Sequence, residues 1–360
     1  MRTVHFPPVG IAHMVDSIQQ LINIDKGSEL FIVNTSSQPN SNPHLGTVTT
    51  IMTSFGIASL IRNELGINAI VQFDQLENSP CKLKTEDGVE YSLALDKCQK
   101  NGVPVSDLNM QQYYKLFDYL SKKTKINYQV RTYKEFQSLT KIRLGLLNIL
   151  SKEVDFAKLL QPVEKKLHVR IPCDKCGWVD KKSVNTNFDF STLTFTSYCS
   201  SHGEFKSHLF DKNIYIDLNT QLRDLLKGVL INEDSSKNIT LMCDANDWSG
   251  VWNKRVHIEG LIKMGYNTFP ERLFAPLILD WSGAKFSKSL YINDISYSKE
   301  YNDLLTIRNF VNRYGENGLE VLWDEVYSWV KSPKKFFRNY SLDYLKSIIE
   351  KGIAIEILNE

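Results

Sequence analysis

Two phosphate-binding loops that would point to a function at once are missing from this chain: it contains no G-x-x-x-x-G-K-[ST] and no G-x-G-x-x-G. Kinases and dehydrogenases built on those loops are therefore disfavoured. An excess of charge of one sign is lacking too. Lysine and arginine number 43 against 41 aspartates and glutamates, a net +2, so any nucleic-acid-binding patch has to be local. The absence of an internal repeat or low-complexity tract argues against solenoids and propellers. No apolar run approaches the ~20 residues of a membrane span. Met1 to Pro8 has no signal-peptide layout, so a cytoplasmic protein with no membrane partner is the expectation. Cysteine is scarce, at six residues, and three of the six cluster with metal-ligand rather than disulfide spacing.

What is present reads as a large α/β domain with small modules attached. Apolar spacing predicts a helix over 10–25, a buried strand over 30–36 and a helix from His44 to Leu65. A strand over 68–74 follows, and then a turn-rich insertion over 75–106. Helical spacing returns over 108–123 and from Lys134 to about Leu160. A β-rich module spans 165–210; a strand over 238–244, a helix over 251–264 and a mostly helical tail from 296 complete the chain. A helix that opens just after a strand, with proline and asparagine between them, is the phosphate end of a doubly wound parallel sheet. The expected layout is 1–164 and 211–295 as two halves of that domain, 165–210 as an inserted module and 296–360 as a helical extension.

Three constellations carry chemistry. The first is Ser37-Gln38-Pro39-Asn40-Ser41-Asn42-Pro43-His44-Leu45-Gly46-Thr47. A helix start offers unpaired N–H groups and partial positive charge; an imidazole there can donate to a phosphate, and a glycine lets a flat base approach. The second is Ser282-Gly283-Ala284-Lys285-Phe286-Ser287-Lys288-Ser289, two lysines in a small loop after a strand. Lysines that clamp an anion only as its charge develops supply rate rather than affinity. The third is Cys173-x2-Cys176-Gly177 followed by Cys199-x2-His202-Gly203, the pattern of a ribbon holding one tetrahedral Zn²⁺ with no open position. Lower in rank stand Asp247, at the carboxyl edge of a predicted strand, and Asp74, a possible anchor for an ammonium group. Trp329 to Tyr340 interleaves bases and aromatics, which suits RNA, but an ordinary amphipathic helix with a solvated face is the favoured reading.

The first two constellations, in this order and this far apart, resemble the HIGH and KMSKS signatures of class I aminoacyl-tRNA synthetases. With the ribbon placed between them, the layout is most similar to the class I lysyl-tRNA synthetase group, over about residues 25–295. Thr47 stands where a second histidine or asparagine is usual, and Phe286 replaces the methionine. The resemblance implies that ATP, with Mg²⁺, activates an amino acid to an aminoacyl-adenylate for transfer to tRNA. It puts His44 and Thr47 on the phosphates, Gly46 on the adenine and Lys285 and Lys288 on the pyrophosphate, with Pro39, Asn42, Asp247 and Ser287 completing the nucleotide site. A helical anticodon-binding region is also implied, but Leu290 to Glu360 is short for one, so tRNA contact is expected at the acceptor end. A relative that ligates the amino acid to a small molecule, peptide or carrier, and a non-catalytic RNA-binding relative, stay open as alternatives.

Overall fold

The computed structural model describes residues 10–22, 24, 29–234, 238–286 and 299–359. Its centre is a sheet of five strands: β1 (Leu30–Ser37), β2 (Ala69–Gln75), β3 (Asn127–Thr132), β4 (Asn238–Ala245) and β5 (Glu271–Ala275). They lie in the order β5-β4-β1-β2-β3, and every neighbouring pair is parallel. The expected α/β class is therefore what the chain adopts. The chain runs outward from β1 through β2 to β3, then returns to place β4 on the other side of β1. The crevice at the carboxyl ends of β1 and β4 is thus the topological switch point, where such sheets bind ligands.

Helix α1 (Leu45–Leu65) leaves β1 at this point and ends at Gly66, whose left-handed φ of 69° lets its N–H return to the Arg62 carbonyl. Contrary to the expectation that no apolar run approaches a membrane span, it is long and apolar enough to cross one, but its apolar residues are mostly buried inside the protein. One side meets β1 and β2. The other is covered by the C-terminal helix α4 (Ile307–Val330), which packs so closely that a Cβ on Gly56 would stand 3.1 Å from Val330 Cγ2. Phe31, Val33, Phe55, Val71, Trp323, Val326 and Trp329 belong to one buried cluster, so the tail residues share the core of the sheet.

Three local expectations change. The helix predicted over 10–25 is two 3₁₀ turns, Gly10–His13 and Ile18–Leu21. The helix predicted from Lys134 is three shorter ones, Tyr133–Ser138, Thr140–Leu150 and Glu153–Leu160. Its first break is built in: Leu139 is extended at φ −61°, ψ 132°, and the buried Arg143 reaches back to the Gln137 carbonyl at 2.5 Å. The Trp329–Tyr340 stretch does not offer its aromatics to RNA. Trp329 is fully buried, stacked on Tyr340 with centroids 4.1 Å apart, and its Nε1 donates to Glu325 Oε1 at 2.7 Å. Lys331, Lys334 and Lys335 are the exposed residues of the stretch; Phe336 is buried, and Phe337 and Arg338 are half-buried.

The residues of the 75–106 insertion do not stand alone. The strand Pro80–Glu86 pairs antiparallel with Val89–Ala94, which pairs in turn with Trp178–Asp180, just past the first cysteine knuckle. Insertion and ribbon are joined by backbone hydrogen bonds that no local pattern could reveal. If Trp329 couples the tail to the sheet, Trp329→Ala should lower stability by about 3–5 kcal/mol, the scale of truncating a buried tryptophan. Urea unfolding measures this, and a loss below ~1 kcal/mol would show that α4 is not part of the core.

Candidate active site

A cavity of about 460 Å³ opens at the switch point. The turn after β1 supplies Asn42, His44, Gly46 and Thr47 to its wall, and the loop after β5 supplies Lys285 and Phe286. The two motifs touch: the ring of His44 meets Phe286 edge-on, with centroids 5.8 Å apart and planes at 85°. Residues separated by most of the chain are brought to one wall by the fold.

Each side of that contact is fixed by backbone bonds. The Pro43 carbonyl accepts from Ile307 N at 2.8 Å, so the first turn of α4 holds the residue before His44. Asn109 Nδ2 donates to the Pro39 carbonyl at 2.8 Å. On the other side, Ile278–Leu279 pairs in parallel with Tyr340–Ser341, and Phe286 N donates to the Ile278 carbonyl at 2.8 Å. Asp280 ties the intervening turn, accepting on Oδ1 from Ser282 N, Ser282 Oγ and Ala284 N. Both the histidine turn and the lysine-loop stem are therefore anchored on the C-terminal segment.

The imidazole is positioned as well. His44 is the N-cap residue of α1, and its Nε2 lies 3.2 Å from Thr47 Oγ1. The threonine hydroxyl is thus a partner of the imidazole in this geometry. Gly46 underlies the ring, and a Cβ there would meet His44 Cε1 at 3.0 Å, so a side chain would press the histidine out by a few tenths of an ångström.

Other sequence candidates distribute less simply. Pro39 is buried and does not line the cavity. Asp247 does not line it either; its Oδ2 accepts from Lys285 Nζ at 2.5 Å. Both members of that pair are about a third or more exposed, at 40% and 32%, so it is worth about 1 kcal/mol or less and is easily exchanged. Ser287 and Lys288 lie outside the described residues. Asp74 is engaged by the protein's own cations and is not open to an external ammonium. Arg131 Nε and Nη2 donate to it at 2.8 and 3.0 Å, Asn34 Nδ2 at 3.0 Å, and Lys227 Nζ lies 3.3 Å away. Burial alone would raise its carboxyl, but Lys227 and Arg131 hold it below the usual carboxylate range.

The sequence reading missed Arg223, Asp224 and Lys227 on helix α3 (Thr220–Asp234). Arg223 and Asp224 line the cavity, and Arg223 and Lys227 line a smaller chamber beside it. A signal was available: Arg223 and Lys227 sit at i, i+4 among Leu222, Leu225, Leu226, Val229 and Leu230, on a helix whose apolar side must be buried. Asp244 also reaches the cavity and is paired with Arg272 Nη2 at 2.6 Å.

In the ribbon, the sulfurs of Cys173, Cys176 and Cys199 and a ring nitrogen of His202 all lie within 4.8 Å of one another. The closest approaches are 3.5 Å, from Cys176 Sγ to Cys199 Sγ and from His202 Nδ1 to both Cys173 and Cys199. Three thiolates and one imidazole at this spacing suit a tetrahedral ion at ~2.0–2.3 Å from each ligand, and four protein ligands leave no position for substrate. Gly177 and Gly203, at φ 75° each, take the left-handed turn that follows each ligand pair. The hairpin Thr194–Cys199/Gly203–His208 and the strand Asn187–Asp189 form the rest of this small module.

No protein-family model matches the chain, and no curated protein matches it. Solved structures do show similarity in backbone. One is a structure assigned as an arginyl-tRNA synthetase from Campylobacter jejuni, 10% identical, with a TM-score of 0.37, covering 84% of this chain and 64% of that one. Another is the methionyl-tRNA synthetase of Mycobacterium tuberculosis bound by methionyl-adenylate, 10% identical with a TM-score of 0.41, over 90% and 68%. A glutamate-tRNA synthetase from Elizabethkingia anophelis is 12% identical with a TM-score of 0.40, over 88% and 69%. The chain spans about two thirds of the length of these structures. Likenesses this distant carry no functional weight.

If the ribbon is held by zinc, purified protein should contain about one zinc per chain, and Cys173→Ser should lose it and become sensitive to proteolysis over 165–210. Metal analysis and limited proteolysis check this. Full folding and proteolytic resistance after exhaustive chelation would show that the four side chains hold no structural ion.

Proposed function

We propose that this chain is a class I synthetase-like enzyme that uses ATP to activate an amino acid as its adenylate. One observation carries the reading: the His44 turn and the Lys285–Phe286 loop form adjoining walls of one cavity at the switch point of a parallel sheet. In the reaction an oxygen of the amino acid carboxylate bonds to the α-phosphorus of ATP. The bond from that phosphorus to the bridging oxygen breaks, and pyrophosphate leaves with the electron pair. Charge therefore grows on the phosphate chain, where His44 and the start of α1 offer donors and Lys285 offers a cation. Lys285 would leave Asp247 for the far denser charge of the pyrophosphate. Lys288 is proposed as the second cation from its place in the sequence. Gly46 would meet the adenine only through its backbone, since the His44 ring occupies the space where a Cβ would stand. Mg²⁺ would enter on the phosphates, since Asp244 and Asp247 are already paired with Arg272 and Lys285. The zinc would hold the ribbon together and take no part in the reaction.

Transfer to the acceptor end of a tRNA is the finer form of this reading, with exposed Lys331, Lys334 and Lys335 as phosphate contacts. A ligase with a non-tRNA acceptor is the second reading. It is favoured by the burial of Trp329 and Tyr340, which removes the one aromatic stacking surface that the sequence offered.

Amino-acid-dependent exchange of pyrophosphate into ATP tests the activation step. His44→Ala and Lys285→Ala should each slow exchange by ~10²-fold or more, the scale of losing one preorganised donor, with much smaller effects on ATP affinity. Undiminished exchange in both variants would end the proposal. Transfer to whole tRNA and to an acceptor minihelix separates the two acceptors. Equal transfer to both RNAs fits acceptor-end recognition, and none to either fits the small-molecule ligase.

A further inference from the structure

The cations beside the active-site cavity are not fully matched by anions. On its β2–β3 side lie Arg131, Lys227 and Arg223, facing Asp74 and Asp224. Arg131 and Lys227 share the single carboxylate of Asp74. Arg223 has only a loose contact: its Nε lies 3.8 Å from Asp224 Oδ1, beyond hydrogen-bond reach, while Asp224 Oδ2 accepts from Trp252 Nε1 at 3.2 Å. The Arg223 side chain is 9% exposed, and its guanidinium has no hydrogen-bond acceptor among the described residues. On the other side of the cavity, Asp244 pairs with Arg272 and Asp247 with Lys285. Among these groups the cations exceed the anions by one, and Arg223 is the one that lines both the cavity and the chamber with no carboxylate within hydrogen-bond reach. Because Arg223 lines the cavity, a ligand there can supply the acceptor that its guanidinium lacks.

Position separates this charge from the nucleotide end. Arg223 is the residue shared by the cavity and the small chamber at the ends of β1, β2 and β3, with Ser36 and Leu76 at the same junction. His44 and Lys285 belong to the wall formed by the turn after β1 and the loop after β5.

We infer that Arg223 receives the side-chain carboxylate of the substrate, so that the amino acid activated here is a dicarboxylic one. The inference rests on the adenylation reading and names its substrate class. A lysine side chain would bring a further cation toward Arg223, Lys227 and Arg131. The lysyl-type substrate suggested by the motif layout is therefore the one these charges oppose most. A planar fork suits a carboxylate better than an ammonium does. Arg223 is thus a specificity residue, and the other available anion, a phosphate of ATP, is the competing occupant.

Pyrophosphate exchange on the intact chain, run across the twenty amino acids, reads the preference without any mutation. Aspartate or glutamate should support it, with lysine and arginine inactive. In Arg223→Ala the KM for the acidic amino acid should rise by about 10²-fold, the scale of a lost charge-assisted bond, while the KM for ATP stays within about twofold. Arg223→Lys should keep the acidic preference with weaker binding. A rise confined to the ATP KM would assign Arg223 to phosphate and overturn the inference. So would exchange that prefers a neutral or basic amino acid, which leaves the adenylation reading standing. Thermal-shift titration with aspartate and glutamate alone keeps the pocket testable apart from the chemistry. Stabilisation of wild type but not of Arg223→Ala, with no exchange for any amino acid, would retain the pocket and reject adenylation. No stabilisation together with no exchange would reject both.

Discussion

The hairpin from Ile278 to Phe286 has to be held against the turn before α1, and the arrangement of the cleft follows from that constraint. Neither segment is a long regular element. The hairpin is fixed by Asp280 within itself and by the Tyr340–Ser341 strand alongside it; the turn is fixed by Ile307 on its Pro43 carbonyl. Because both anchors come from the C-terminal segment, packing of α4 on α1 also sets the distance between His44 and Phe286. Helix α1 is apolar on nearly every side for the same reason. It is clamped between the sheet and the tail, and only its first two turns reach the cavity.

Charges in the cleft fall into two kinds. Asp74 with Arg131 and Lys227, and Asp244 with Arg272, are buried clusters whose partners cannot be removed singly without leaving an unpaired charge in a poor solvent. They are structural, and they fix the carboxyl ends of the strands. Lys285 with Asp247 is half exposed, and its attraction is weakened by water. A lysine held so lightly can be taken over by phosphates at little cost. The buried clusters give the cleft a rigid floor, and the exposed pair leaves its rim adjustable.

Much of the fold was legible in the sequence because it follows from period and punctuation. The strand over 30–36, the helix after His44 and the strand over 238–244 announce themselves by apolar runs and by the proline-rich turn. The cysteine knuckles are legible because ligand spacing is local. Pairings between distant segments were not. Nothing near Val89 indicates that it shares a sheet with Trp178–Asp180, and nothing near Trp329 indicates that Tyr340 stacks on it inside the core. The break at Leu139 was hidden for another reason: tertiary bonds, such as those from Arg143 to the Leu209 and Ile214 carbonyls, override a continuous helical pattern. Of the candidate site, the His44 turn and the lysine loop were readable as motifs. Arg223 could have been flagged only by asking why a cation lies on the buried face of an apolar helix.

The central claim is that these two remote motifs form one nucleotide site, and a crystal structure with a non-hydrolysable ATP analogue and Mg²⁺ tests it most directly. The account predicts the triphosphate between His44 and Lys285, the adenine over Gly46 and the Lys285–Asp247 pair broken. An analogue bound elsewhere, or bound with Lys285 still on Asp247 and His44 away from the phosphates, would contradict it.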